Sequence, residues 1–187
     1  MSWVGANRYL LKEEMEQNAI EICSYFISKG WTINSISAML GNMETESTIN
    51  PNIWEGLNIA EESGYGLVQW TPSTKYIEWA GAGYENGNKQ CERIQYEMEN
   101  GLQWFSNPNA PIVEPPITFK EFSKSTEDIT TLANYFLWYY EHPAVTIQTN
   151  RGEQAIQWYN FLLNSNVPTP VKPRKKMPIW LMCKRRH

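Results

Sequence analysis

Three observations in the sequence predict a mainly α-helical domain with one small irregular lobe. Apolar residues recur at three- and four-residue spacing in several segments. Capping residues, prolines and glycines stand where those segments begin and end. One stretch, 48–70, breaks the helical period. Leu11, Met15, Ala19, Ile22 and Phe26 share a helical face, and Gly30 supplies a stop, so 11–29 is expected to be the first helix. A second helix is expected from Thr32 or Asn34 to about Ser47, with Ile36, Leu40 and Met43 on one face. Through 48–70, Pro51, Gly56, Gly64 and Gly66 interrupt helix, while Tyr65, Leu67, Val68 and Trp70 favour extended chain. That pattern predicts an irregular lobe or a short β-hairpin.

Thr71-Pro72 reads as an N-cap followed by proline at the first helical position, opening a helix that runs to about Ala80. Gly81, Gly83 and Gly87 make a loop. Asn88 is the expected cap of the next helix, which carries Cys91, Ile94, Met98 and Phe105. Four prolines between 107 and 117 predict an extended connector. Thr118 with Glu121 fits a capping box. A strong helix is expected over 127–140, with Ile129, Leu132 and Phe136 on one side. Asn150 with Glu153 hints at a further cap, before a last helix over 151–163. From Ser165, prolines interleave with basic residues and end in PIWLMCKRRH, so the expected division is a folded domain at 1–164 and a basic, Pro-rich arm at 165–187.

Composition excludes several classes. With 42% apolar and 19% charged residues the chain has the balance of a globular protein. No apolar run approaches the ~20 residues needed to span a bilayer. Residues 1–11 lack the basic-then-apolar pattern of a signal peptide. Cys23, Cys91 and Cys183 are too few and too scattered for a disulfide framework or a zinc site, and two histidines cannot make a His-rich metal centre, so neither metal nor cofactor is expected. The net charge of -4 divides unevenly. The last acidic residue is Glu153, and seven basic residues follow it. An acidic body argues against nucleic acid as the main ligand. All acidic residues but Asp128 are glutamates, so chemistry that uses two carboxylates must draw on Glu. The 25 aromatic residues, nine of them Trp, serve either as core or as flat platforms for sugars.

Three segments carry candidate chemistry: GNMETESTINP at 41–51, GYGLVQWTP at 64–72 and YYEHP at 139–143. None is a phosphate loop, a nucleophile elbow or a metal motif. Glu46 followed by Ser47 at a helix end, then Gly-Leu-Val-Gln some twenty residues on, resembles the lysozyme-like superfamily, which includes goose-type lysozymes and soluble lytic transglycosylases. The match is closer to the phage tail lysozyme family. It runs over about 7–163 through MLGNM-x-x-ES-x-INP, GYGLVQWTP, Tyr76, Trp79, Tyr140-Glu141-x-Pro143 and Arg151-Gly152-Glu153-Gln154-Ala155 with Trp158-Tyr159.

The resemblance implies a lysozyme-like fold whose cleft lies between a helical lobe and the small irregular lobe. It implies a muramidase that cuts the β-1,4 bond between N-acetylmuramic acid and N-acetylglucosamine, with Glu46 as general acid. A glycosidic oxygen leaves only when protonated, and near neutral pH that requires a carboxyl in apolar surroundings. Ser47 and Gln69 are then expected to hydrogen-bond the glycan or a water. Tyr65, Trp70, Tyr140 and Glu141 are expected as further substrate contacts. For each aromatic, core packing is at least as good a reading. Glycosidases normally use two carboxylates. Glu55, Glu61 and Glu62 lie between Glu46 and Gln69, with Glu62 the candidate and Glu141 another. Lytic transglycosylases manage with one glutamate by using the substrate's own 6-hydroxyl, and a non-catalytic glycan-binding tail protein is the reading from another class. The expected partner is bacterial peptidoglycan, with phage tail proteins reached through the C-terminal arm. The expected location is a virion tail, or the host cytoplasm before release to the wall.

Overall fold

In the computed structural model, which describes residues 2–165, seven α-helices follow one another. They are α1 (Lys12–Ser28), α2 (Ile33–Ser47), α3 (Thr74–Ala80), α4 (Gly87–Glu99), α5 (Phe119–Lys124), α6 (Ile129–Phe136) and α7 (Thr149–Asn164). The expected arm lies, beyond Ser165, outside the described residues. No helix among the described residues is long and apolar enough to cross a membrane.

Helix α2 is the axis of the fold. Ser35 through Met43 are all buried, so it is covered on every side, chiefly by α7 and α6. Its apolar residues, Ile36, Ala38, Met39, Leu40 and Met43, are fully buried. Gly41 permits the closest approach, since a Cβ there would lie 2.4 Å from the Arg151 carbonyl oxygen and 2.7 Å from the Ala155 nitrogen. Among the buried polar groups on α2, the Ser37 hydroxyl has no hydrogen-bond partner among the described residues, while others are satisfied. The Asn42 amide donates to the carbonyls of Ala38 and Ala133. Thr32 caps the helix start by accepting from Ser35 N.

Around this axis the aromatic residues form a continuous core. Trp31 packs among Phe26, Phe119 and Phe122, and its indole N–H donates to Gln95. Trp104 stacks on Phe119, and Phe136 on Tyr140. Core packing thus accounts for most of the aromatic content.

Several expected boundaries shift. Helix α3 begins at Thr74 rather than Pro72, and Thr71-Pro72 is a cis peptide instead of a helix start. Asn86, not Asn88, caps α4, with its side chain accepting from Asn88 N. Helix α4 stops at Glu99, so Phe105 lies beyond it and is exposed. Thr118 and Glu121 form the expected capping box. Asp128 caps α6, which ends at Phe136 and widens into a π-helical turn, Leu137–Glu141. Asn150 is no cap; its amide donates to Thr45 Oγ1.

The lobe over 48–70 is built from turns. A short 3-10 turn, Glu55–Leu57, and two isolated bridges, Trp54 with Tyr65 and Tyr65 with Trp70, are its regular features, so the expected hairpin does not extend into a ladder. Side chains do the joining instead. Gln90 of α4 donates to the Pro51 carbonyl at 2.6 Å and accepts from Leu67 N at 2.8 Å. Gly66, at φ +79, comes so close to Gln90 that a Cβ would meet its Oε1 at 2.5 Å. The lobe is therefore fastened to the helical body at a fixed height, which sets the opposite wall of a cleft.

Candidate active site

Glu46 stands in the last turn of α2, where the helix emerges from the core. Thr48 and Ile49 follow with left-handed backbone, turning the chain away into the lobe. Glu46 retains 23% exposure and faces a cleft of about 390 Å³. One wall is Ile53, Trp54, Glu55 and Gly56 of the lobe, continuing through Val68, Gln69 and Thr71. Glu141 and Pro143 close the far side, and Tyr9 stands at the edge. A smaller recess of about 190 Å³ shares Val68, Gln69, Thr71 and Glu141 and is completed by Lys75, Gln103 and His142, so the hollow continues past Glu141.

Arg151 holds Glu46 in place. It lies on α7 and is buried. Its guanidinium donates to Glu46 Oε1 at 2.6 Å, to Asn42 Oδ1 at 3.1 Å and to Gln148 Oε1 at 2.7 Å. A planar donor set held by three acceptors has little freedom, so the carboxylate it meets is oriented as well as charge-balanced.

Glu141 reaches the cleft from the end of the π-helical turn, where His142 adopts left-handed backbone and its N–H bonds back to Leu137 O. One carboxyl oxygen, Oε1, is buried without a hydrogen-bond partner among the described residues, as is His142 Nε2. Burial, and next the nearby Glu46 carboxylate, push the Glu141 carboxyl well above the usual range; Arg151 opposes the shift, and Glu97 adds to it. The Glu141 carboxyl is therefore held toward its protonated form, beside the Glu46–Arg151 ion pair. Two carboxyl groups in a single cleft, one of them pushed toward its protonated form, is an arrangement that acid–base chemistry on a glycoside can use.

Of the residues expected from sequence, Glu46, Gln69 and Glu141 meet in this cleft. Gln69, at φ +49, uses its amide to hold the lobe together, donating to the carbonyls of Gly66 and Ile53. Five further expected residues are placed differently. Glu62 is exposed and lines neither hollow; Glu55 is the lobe carboxylate in the cleft wall, where it accepts from Gly64 N. Ser47 is buried and spends its hydroxyl on the fold, donating to the carbonyls of Leu67 and Met43. Tyr65 is core, packed against Trp54, Tyr76 and Tyr84. Trp70 and Tyr140 border the smaller recess but are only 4% and 1% exposed, too little to offer a ring face. Their polar tips both meet buried Glu97, the Trp70 indole N–H at 3.2 Å and the Tyr140 hydroxyl at 2.5 Å.

The sequence reading missed the role of Arg151, which sits 105 residues from Glu46. It also missed Tyr9 and Trp54 as cleft aromatics. No group of three or more metal-ligating side chains occurs among the described residues. Cys23 and Cys91 are buried and unpaired, and burial pushes the Cys23 thiol up to about 12, so both act as packing groups.

Comparison with known proteins identifies the family. The profile of a family described as phage tail lysozyme matches residues 17–162. Morphogenesis protein 1 of Bacillus phage B103 is 47% identical over 160 residues, covering 83% of this chain and 42% of the relative. The chain thus spans less than half the length of that relative.

Proposed function

From the premise that this chain belongs to the phage tail lysozyme family, we propose that it is a peptidoglycan-cleaving glycosidase of the muramidase type. The bond cut is the β-1,4 linkage between N-acetylmuramic acid and N-acetylglucosamine. The observation that carries the reading is the carboxyl pair of the cleft, Glu46 ion-paired to Arg151 and Glu141 lining the same hollow with its carboxyl pushed up by burial.

The chemistry follows from that pair. Glu141, held toward its protonated form by burial, is the proton source of the pair. Glu46, the more accessible to the cleft, passes that proton to the glycosidic oxygen as the bond to the anomeric carbon breaks. Glu141 keeps the proton in store between turnovers. The negative charge left on the pair stabilises the positive charge growing on the sugar ring. A water, or the substrate's own 6-hydroxyl, then adds to the anomeric carbon and gives up its proton to the carboxylate pair, which restores the acid. Hydrolysis leaves a reducing muramic end, and the intramolecular route leaves an anhydro end. Gln69 and Glu55, on the lobe side, border the path of the glycan.

The setting proposed is a virion-associated protein that opens the cell wall locally, with the basic segment after residue 165 attaching it to tail proteins or anionic wall polymers. The name of the B103 relative favours a second reading, a structural tail component that binds glycan without cutting it. Incubation of the purified protein with peptidoglycan, followed by mass spectrometry of the soluble products, separates the readings. Reducing muramic ends support the muramidase, and anhydro ends place it with the transglycosylases. Binding with no product supports the structural role.

A further inference from the structure

The N-terminal segment ahead of α1 is a strap across the cleft side of the molecule, and its fastening is unusually complete for an irregular stretch. Asn18 of α1 accepts from Val4 N at 2.9 Å and donates to Val4 O at 2.8 Å. Asn50, fully buried, donates to Ala6 O at 2.7 Å and to Arg8 O at 2.6 Å. Leu10 N donates to Thr48 Oγ1 at 2.9 Å, and the Leu10 side chain is buried. The Arg8 guanidinium grips Glu14 with two bonds and donates to Tyr9 O. Asn7 reaches the cleft wall itself, accepting from Trp54 N and donating to Leu57 O.

Tyr9 is the residue between these anchors. Its backbone is pinned on both sides, at Arg8 O and at Leu10 N, yet the residue is 61% exposed and lines the cleft that contains Glu46. A singly exposed aromatic on a surface is ordinary. An exposed ring on an immobilised backbone, at the rim of a catalytic cleft, is a preorganised platform. Trp54, tied to the same strap through Asn7, lines the same cleft. The strap precedes the residues that match the family profile, 17–162.

We propose that Tyr9 forms a glycan subsite, packing its ring against a pyranose face of an N-acetylhexosamine chain bound across Glu46, with the strap anchors Asn50 and Thr48 as positioning residues. The proposal rests on the glycosidase reading. The C–H face of a pyranose and the π face of tyrosine bury apolar surface on each other, and the fixed backbone spares the ordering cost that a mobile loop would incur.

The test uses soluble N-acetylglucosamine oligomers as probe, titrated calorimetrically into Glu46→Gln protein so that nothing turns over. Adding Tyr9→Ala is expected to weaken binding about tenfold, and Tyr9→Trp to restore it. In the Glu46 protein acting on peptidoglycan, Tyr9→Ala is expected to act mainly on KM. Affinity within about twofold of the parent for Tyr9→Ala overturns the proposal. So does a loss of affinity that Tyr9→Trp fails to restore and that tracks a fall in Tm. The failure of the glycosidase reading looks different: peptidoglycan is left uncut, while the titration still reports on Tyr9.

Discussion

Replacing Arg151 by methionine removes the guanidinium while keeping most of the side-chain volume, and the structure allows its cost to be worked through. Loss of one partner costs about 3–5 kcal/mol for a fully buried ion pair, against about 0–1 kcal/mol for a wholly exposed one. Arg151 is 4% exposed but Glu46 is 23% exposed, so the stranded carboxylate regains part of its hydration. The pair then falls between the limits, at about 2 kcal/mol. Asn42 Oδ1, fully buried, also loses its donor. That adds about 1 kcal/mol, the low end for an unsatisfied acceptor, because the Asn42 amide keeps both its carbonyl partners. The sum, near 3 kcal/mol, corresponds to a fall in Tm of about 6–12 °C for a domain of this size. On the proposed function, peptidoglycan cleavage is expected to drop about 10²-fold in addition, since the Glu46 carboxyl loses its orientation. Arg151→Lys keeps the charge but not the fork of donors and is expected to fall between wild type and Arg151→Met in both readouts. Thermal unfolding by circular dichroism and product release from purified peptidoglycan measure the two effects. A Tm for Arg151→Met within about 2 °C of wild type would refute the reasoning, because it would mean that the ion pair and the Asn42 contact carry no net load.

Three further outcomes follow from the same geometry. Gly41→Ala drives a methyl group into the backbone of α7 at Arg151 and Ala155, and denaturant unfolding is expected to show a loss of about 1–3 kcal/mol. Glu97→Ala strands Arg93, the Trp70 indole N–H and the Tyr140 hydroxyl together at a carboxylate only 1% exposed, at a cost of about 3–5 kcal/mol by the same measurement. Glu141 binds its proton more tightly in the folded state than in the unfolded chain. The stability that this contributes is fully present below the unfolded-state pKa of about 4.3 and is lost as pH rises through the folded-state value. Glu141→Gln removes this dependence, so the unfolding free energy of the variant should fall less than that of wild type as pH is raised from acid toward alkaline. Parallel profiles for the two proteins would contradict the placement of a buried, protonated carboxyl there.

The helical body was legible because its cause is local. Met15, Ala19, Ile22 and Phe26 fall on one face of α1, and all are buried. Thr118 and Glu121 form their box within four residues. Glu46 could be placed at a helix end for the same reason. The cleft's other half was not legible, because it depends on contacts between distant segments. The lobe folds through Gln90 bonds and irregular turns, and no spacing rule reveals that Glu55 rather than Glu62 turns into the wall. Aromatic residues near a motif could not be sorted into platform and core. Tyr65, Trp70 and Tyr140 are inside because Tyr76, Phe136 and Glu97 await them, while Tyr9 is outside because its neighbours on both sides are tied down. Arg151 carried no signal of its role, since its carboxylate partner is on another helix.

The central claim is that Glu46 performs glycosidic chemistry in this cleft. Glu46→Gln tests it most directly, because the glutamine oxygen still accepts from Arg151 and the fold is retained. With purified peptidoglycan and matched circular dichroism, the account predicts a fall in soluble product of about 10²–10⁴-fold, the usual worth of a positioned acid–base group. Cleavage by Glu46→Gln at the wild-type rate would contradict it.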